Sequence, residues 1–289
     1  MQAQCHPRAV FLHPRALARP RCASTSQQPV VVTHNGVVVS SDGDLTAVDG
    51  LGEDVPLGTQ LSFDGQAKGI LLARLSGFAI VLRWPACPAP LAQSQATVRD
   101  RAFATVPHPD SLLHSSATLS SLIAFTPAPP TSSVRPARCV MAEIPGVPVR
   151  TPITQSLHTG VAAVDVLTPI GRGQCMLVVG ERASGKTALA LDAVTSARLP
   201  AVYASLSGAP APTSPHSITV SPPADASPGL AFLTLCAAFA LAEAWRDEGR
   251  DALIVLDDLE PTVAFWAAAA RLVPAPVAAD GATGEQVRR

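Results

Sequence analysis

The chain reads as an α/β protein, with a small N-terminal antiparallel β-barrel followed by a domain built on a mostly parallel sheet. Three observations predict this. Residues 29–84 alternate short β-prone runs with turn signals. From Thr151 onward the pattern becomes apolar strand, loop, helix and apolar strand again. Between the apolar run Met176-Leu177-Val178-Val179 and a helix-compatible segment at 188–197 lies a glycine-flanked turn.

The barrel rests on β-prone runs at 30–32, 37–39, 45–48, 60–63, 70–75 and 78–82. Between them stand Asn35-Gly36, Asp42-Gly43, Asp49-Gly50 and Asp64-Gly65, turn-forming pairs that suit tight antiparallel connections. Residues 85–138 change character, with Pro-Ala-Cys-Pro-Ala-Pro, a Ser/Thr-rich middle and Thr-Pro-Ala-Pro-Pro-Thr, and read as a long connection. Residues 139–289 form the second domain, with further strands expected at 201–206, 217–220 and 253–256 and a helix at 230–247.

The glycine-flanked turn is Gly180-Glu181-Arg182-Ala183-Ser184-Gly185-Lys186-Thr187. A strand that ends in such a turn leaves several backbone N–H groups facing one concavity, and the following helix adds its positive dipole end. Polyphosphate is the natural guest, which makes this a P-loop NTPase domain. Gly180 and Gly185 allow backbone conformations closed to other residues, Lys186 reaches the β- and γ-phosphates, and the Thr187 hydroxyl ligates Mg²⁺. Lysine is otherwise rare: Lys68 and Lys186 stand against nineteen arginines. Asp257, after the four aliphatic residues 253–256, falls at the carboxyl end of a buried strand, where a carboxylate can help hold the metal. Asp258 is balanced between a supporting role and solvent exposure.

With 289 residues, 47% apolar and 15% charged, the chain can bury a sizeable core, although 28 prolines imply loop or linker as well. The net charge of −1 conceals an asymmetry, because residues 1–41 carry Arg8, Arg15, Arg19 and Arg21 and no acidic residue. The rest holds seventeen basic against twenty-two acidic residues, so no basic patch speaks for nucleic acid. Residues 1–28 have the composition of an organelle-targeting presequence, cleaved between about Arg21 and Ser26 and addressed to the mitochondrion or, alternatively, the plastid. Six cysteines show no CxxC pair and no regular spacing, so they read as free thiols. The apolar run 230–242 is short for a membrane span and reads as a buried helix, so no transmembrane segment is expected. His158 reads as a turn or surface residue.

The segment 152–174, Pro-Ile-Thr-Gln-Ser-Leu-His-Thr-Gly-Val-Ala-Ala-Val-Asp-Val-Leu-Thr-Pro-Ile-Gly-Arg-Gly-Gln, runs straight into this loop and resembles the α subunit of the F-type ATP synthase. The loop itself is similar to that subunit's Gly-Asp-Arg-Gln-Thr-Gly-Lys-Thr. Residues 243–259 look like its second signature, and residues 36–51 and 61–69 like its N-terminal barrel. The resemblance covers the family's first half. It implies a hexameric head of alternating α- and β-type subunits, on a proton-driven rotary machine held peripherally at the mitochondrial inner membrane. It also implies ATP/ADP and Mg²⁺ as ligands, bound at 180–187 and at Thr187 and Asp257 without turnover.

Three departures accompany it. The family's loop Gln is Ala183. Where the catalytic relative places a water-orienting Glu, this chain has roughly Gly208, and the α subunits' Gln is missing too. The segments bearing the intersubunit arginine and the C-terminal helical domain do not occur in this sequence. A diverged or truncated α-like chain, incomplete at its C-terminus, is therefore expected, with no catalytic residue of its own. A non-enzymatic relative acting in assembly or regulation, and an independent P-loop ATPase, are the alternatives. Glu181, Asp258 and Glu260 are the nearby carboxylates, and each is expected at a helix start or a surface loop.

Overall fold

A computed structural model describes residues 8–13, 34–64, 67–84, 90, 92–98, 103–126, 138–141, 152–208 and 216–274. The elements run β1 (Arg8–His13), β2 (His34–Asp42), β3 (Leu45–Asp49), β4 (Gln60–Phe63), β5 (Ala67–Leu75), β6 (Phe78–Arg83), β7 (Gln95–Val98) and β8 (Phe103–Val106). They continue as β9 (Ser116–Thr118), α1 (Leu119–Leu122), β10 (Ala124–Thr126), β11 (Arg138–Cys139), β12 (Ser156–Leu157), α2 (Ala162–Leu167), β13 (Ile170–Gly171) and β14 (Cys175–Val178). Last come α3 (Lys186–Ala197), β15 (Ala201–Ser205), β16 (Ser217–Ser221), α4 (Pro228–Asp247), β17 (Ala252–Asp257) and α5 (Glu260–Leu272).

The barrel closes in the order β2-β3-β6-β5-β4-β7, with every neighbouring pair antiparallel. The β2–β3 hairpin pairs Asp42 with Leu45, and Gly43 takes φ +57° in the two-residue turn. Side chains then alternate between two apolar environments. Val48, Ala79 and Val81 fill the barrel interior with Val38, Leu61, Phe63 and Val98. Leu45, Ala47, Ile80 and Leu82 point outward into a second core shared with α4, α5 and the large sheet. Burial on both faces explains why these strands read as continuous apolar runs.

The large sheet runs β14-β1-β17-β15-β16-β9. Strands β17, β15, β16 and β9 are mutually parallel, and β1 is antiparallel to both of its neighbours. Val202, Ala204, Ile254 and Leu256 face the core under α4. Ala201, Tyr203, Leu253 and Val255 face the other side, against Ala190 and Val194 of α3. The expected α/β class, with barrel first and mostly parallel sheet second, is the observed one.

Helix α4 is long and apolar enough to cross a membrane by length and composition alone. Here it is a core helix, with Leu233, Ala237, Leu241 and Trp245 fully buried between barrel and sheet. Burying each large side chain contributes about 1.5–3 kcal/mol. Ser227 caps its start by accepting the Leu230 N–H at 3.2 Å, and Pro228 occupies the first helical position, where no N–H is needed.

Two segments differ from their sequence reading. The stretch read as a long connection of undetermined local structure, 85–138, supplies β7, which closes the barrel, and β9, which adds a parallel edge to the large sheet. Both are three or four residues long, too short to stand out without their non-local partners. Within 1–28, residues 8–13 form β1. The strand expected at 30–32 lies outside the described residues.

Candidate functional site

Strand β14 delivers the chain into the loop at 180–187, and α3 begins at Lys186 with Gly185 as its N-cap at φ +86°. That conformation is open to glycine at little cost. A Cβ at Gly180 would approach the Ser184 hydroxyl oxygen to 2.7 Å, so the loop folds tightly over its first residue. Ala183 also takes a left-handed conformation, φ +60°, which costs a residue with a Cβ roughly 1–2 kcal/mol. Glu181, Arg182, Ala183, Ser184 and Gly185 are exposed.

Lys186 is the exception: only 8% of it is exposed, in a loop that otherwise faces solvent. Its ammonium turns back across the turn and donates to the Gly180 carbonyl at 2.8 Å, to the Glu181 carbonyl and to the Ser184 hydroxyl at 3.4 Å. A cation is thereby held at the centre of the concavity by neutral acceptors alone. A phosphate oxygen would offer it a charged acceptor, roughly twice as strong.

Asp257 ends β17 and is 9% exposed. Side-chain alternation along β17 puts it on the same face as Leu253 and Val255, which is the face α3 covers. The Tyr203 hydroxyl donates to Asp257 Oδ2 at 2.5 Å from the adjacent parallel strand, whose Ser205 is in register with Asp257. Thr187 lies in the first turn of α3 and is half-buried. Both expected metal-binding residues therefore offer hard oxygen donors, the chemistry Mg²⁺ selects.

Asp258, at φ +65°, accepts the Glu260 N–H at 3.1 Å, a local side-chain-to-backbone bond just ahead of α5, whose N-cap is Leu259. Glu260 is exposed at the first helical position. Gly208, at φ +73°, follows β15 on the surface and brings no carboxylate or amide side chain there.

Two residues were not singled out from the sequence, one that bonds Asp257 and one that fixes a turn against the far end of α3. Tyr203 is the chain's single tyrosine and stands within an otherwise small and apolar strand. A buried hydroxyl needs a partner, and that requirement was the readable signal. Asp165 accepts the Thr159 N–H at 2.8 Å, the Thr159 hydroxyl at 2.7 Å and the Gly160 N–H at 3.3 Å. Those donors, Thr159's N–H foremost, hold its carboxyl below the usual range. The turn so fixed rests against α3, where a Cβ on Gly160 would meet Ser196 Oγ at 2.1 Å. His158 is exposed, as its turn position suggests.

Residues 160–283, which span the loop, Asp257 and the strands between, match the nucleotide-binding domain of the ATP synthase alpha/beta family. This segment is similar to that family's nucleotide-binding domain. Among similar proteins, ATP synthase subunit alpha 2 of Syntrophotalea carbinolica is 37% identical over 139 residues, 42% of this chain and 27% of that protein. ATP synthase subunit alpha of Vesicomyosocius okutanii is 38% identical over 149 residues, 46% and 28% of the two chains. That of Haemophilus influenzae is 40% identical over 131 residues, 40% and 25%. The match thus spans about a quarter of the length of these relatives, all of them α subunits.

Proposed function

We propose that this chain is a nucleotide-binding, non-catalytic α-type subunit of a proton-driven ATP synthase, which holds ATP or ADP with Mg²⁺ at the loop 180–187. The observation that carries the reading is Lys186, a buried cation held only by neutral loop acceptors at the start of α3. Gly180, Glu181, Arg182, Ala183, Ser184, Gly185 and Thr187 surround the phosphates through their backbone N–H groups, and Thr187 and Asp257 would hold Mg²⁺. The metal would neutralise phosphate charge at the carboxyl end of the sheet.

Absence of turnover follows from what the chain offers the attacking water. Asp258 is engaged by the Glu260 N–H, Glu260 and Glu181 face solvent, and Gly208 has no side chain. Assembly with β-type subunits in a hetero-oligomeric head, at the matrix side of the mitochondrial inner membrane, is part of the same proposal. The acid-free, Arg-bearing N-terminus supports that organelle address, with the plastid as the alternative.

Calorimetric titration of the full chain with Mg-ATP, beside its Lys186→Ala variant, tests the site. Binding by the wild type that is lost in the variant is expected, with no hydrolysis above background. A folded wild type that fails to bind would refute the nucleotide role. A robust ATPase rate abolished by Lys186→Ala would refute the non-catalytic one. Stoichiometric co-purification with a β-type subunit is expected, and its absence would favour the assembly or regulatory alternative.

A further inference from the structure

Strand β14, which leads into the phosphate loop, does not pair with β17, which leads into Asp257. Between them lies β1, antiparallel to both. On one side Arg8, Ala9, Val10 and Phe11 stand opposite Val178, Leu177, Met176 and Cys175. On the other, Ala9 to His13 stand opposite Leu256 to Ala252. Strands β14 and β17 are therefore parallel to each other and separated by one strand, about 10 Å at the usual inter-strand spacing. That gap is too wide for direct backbone pairing.

Among the described residues, β1 is the only ladder partner of β14. The contrast in burial agrees: all of β17 is buried, whereas Leu177 in β14 is 55% exposed and Val179 just beyond it 58%. The face of α3 also holds β14 through Met176, and Arg172 reaches Asp251 at 2.6 Å across the amino ends of the two strands. The backbone ladder near the loop, however, runs through β1 alone.

The sequence of β1 suits this slot. Ala9-Val10-Phe11-Leu12 is a short continuous apolar run, the pattern of a strand covered on both faces. Pro7 and Pro14 bound it, and neither has an N–H to extend a ladder. The register also sets Arg8 at the carboxyl end of the sheet, beside Val178 and one residue beyond the Ala9–Leu256 pair.

We propose that residues 8–13 are an integral strand of the nucleotide-binding sheet, filling an acceptor slot between β14 and β17 and coupling the phosphate loop to Asp257. The N-terminal segment then has a structural role besides any address it carries. Cleavage between Arg21 and Ser26 followed by loss of the released piece would open the slot to other apolar strands. This inference does not depend on the nucleotide reading, because its tests read backbone pairing.

Amide hydrogen exchange on the full chain is the first test. Val10 and Leu12 should exchange at least tenfold more slowly than in an unstructured peptide, and exchange at the unstructured rate would overturn the proposal. In the full-length Val10→Pro/Leu12→Pro variant, protection in β14 should fall at least tenfold while that of β3 and β6 in the barrel is kept. A synthetic peptide of residues 6–14 should restore it. Unchanged protection of β14 in a variant with an intact barrel would also overturn the idea.

A second variant covers the case in which the double proline variant fails to fold. Phe11→Cys puts a thiol opposite the exposed Cys175 at a separation antiparallel neighbours can bridge. Oxidation with diamide, which accepts the two electrons, should join the new thiol to Cys175, as mapped by mass spectrometry of peptides. Cross-linking to another cysteine in preference, or to none, would refute the register.

Discussion

Tyr203 donates to the buried carboxylate of Asp257 from the adjacent parallel strand. Tyr203→Phe removes the donor while leaving the ring's volume in place. A loss of about 1–3 kcal/mol is expected in urea unfolding, because the carboxylate stays buried with one hydrogen bond fewer. A change below about 0.5 kcal/mol, within the scatter of neutral substitutions, would show that Asp257 does not rely on it. Asp165 gives a pH-dependent counterpart. Its carboxyl is held below the ordinary value by the Thr159 N–H, the Thr159 hydroxyl and the Gly160 N–H. A depressed folded value means the stabilisation is complete above the unfolded value, near pH 4, and is lost as pH falls through the folded one. Asp165→Asn should therefore be less stable than wild type at neutral pH, with the gap narrowing below about pH 4. A gap that stays constant from pH 7 down to acid unfolding would contradict this. Lys186 and the 180–187 loop were legible at this scale, since a glycine-flanked turn between strand and helix identifies itself locally. The partners of Asp257 and Asp165 were not equally visible: Tyr203 stands 54 positions from Asp257, while Asp165 is linked through a turn only six positions back.

Among the elements, α4 packs closely against the barrel. Its second residue, Gly229, approaches the barrel so nearly that a Cβ would lie 2.8 Å from Leu82 Cδ1 and 2.9 Å from Leu45 Cδ2. Asp44 receives the Ser227 hydroxyl beside it, and Ser40 donates to the Leu272 carbonyl of α5 at 2.6 Å. Gly229→Val would force a branched side chain into this junction, at a cost of about 1–3 kcal/mol for overpacking. Thermal melting should fall by roughly 2–4 °C per kcal/mol in a chain of this size. A variant that melts at the wild-type temperature would show that the Leu45 and Leu82 side chains move aside freely. Strands β15, β16 and β17 and helix α4 lie within a few residues of where apolar runs place them. By contrast, β7, β9 and β1 are short or flanked by prolines, and each becomes a strand only by meeting a distant ladder.

Across the whole molecule, barrel and sheet are joined by one continuous core. Leu45, Ile80 and Leu82 of the barrel share it with Leu233, Leu241 and Trp245 of α4 and with Val202 and Ile254 of the sheet. The Trp245 indole reaches past this core to Asp110 at 2.8 Å, and Arg250 joins the same carboxylate at 2.8 Å. The middle segment is thereby tied to the end of α4. Of the cysteines in the described residues, Cys175 and Cys236 are free thiols, and burial pushes the Cys236 thiol up to about 12. The sequence by itself determined the α/β class, the order of barrel and parallel sheet, the glycine-flanked loop between β14 and α3 and the acidic strand end. Those features depend on local periodicity, turn chemistry and residue type, which act within a dozen positions. Only the tertiary structure decided which short strand closes the barrel, which edge strand β9 supplies, and that residues 8–13 stand between the loop's strand and that of Asp257. Those choices depend on backbone edges left unpaired by distant elements, a property of the assembled sheet that no local window of sequence contains.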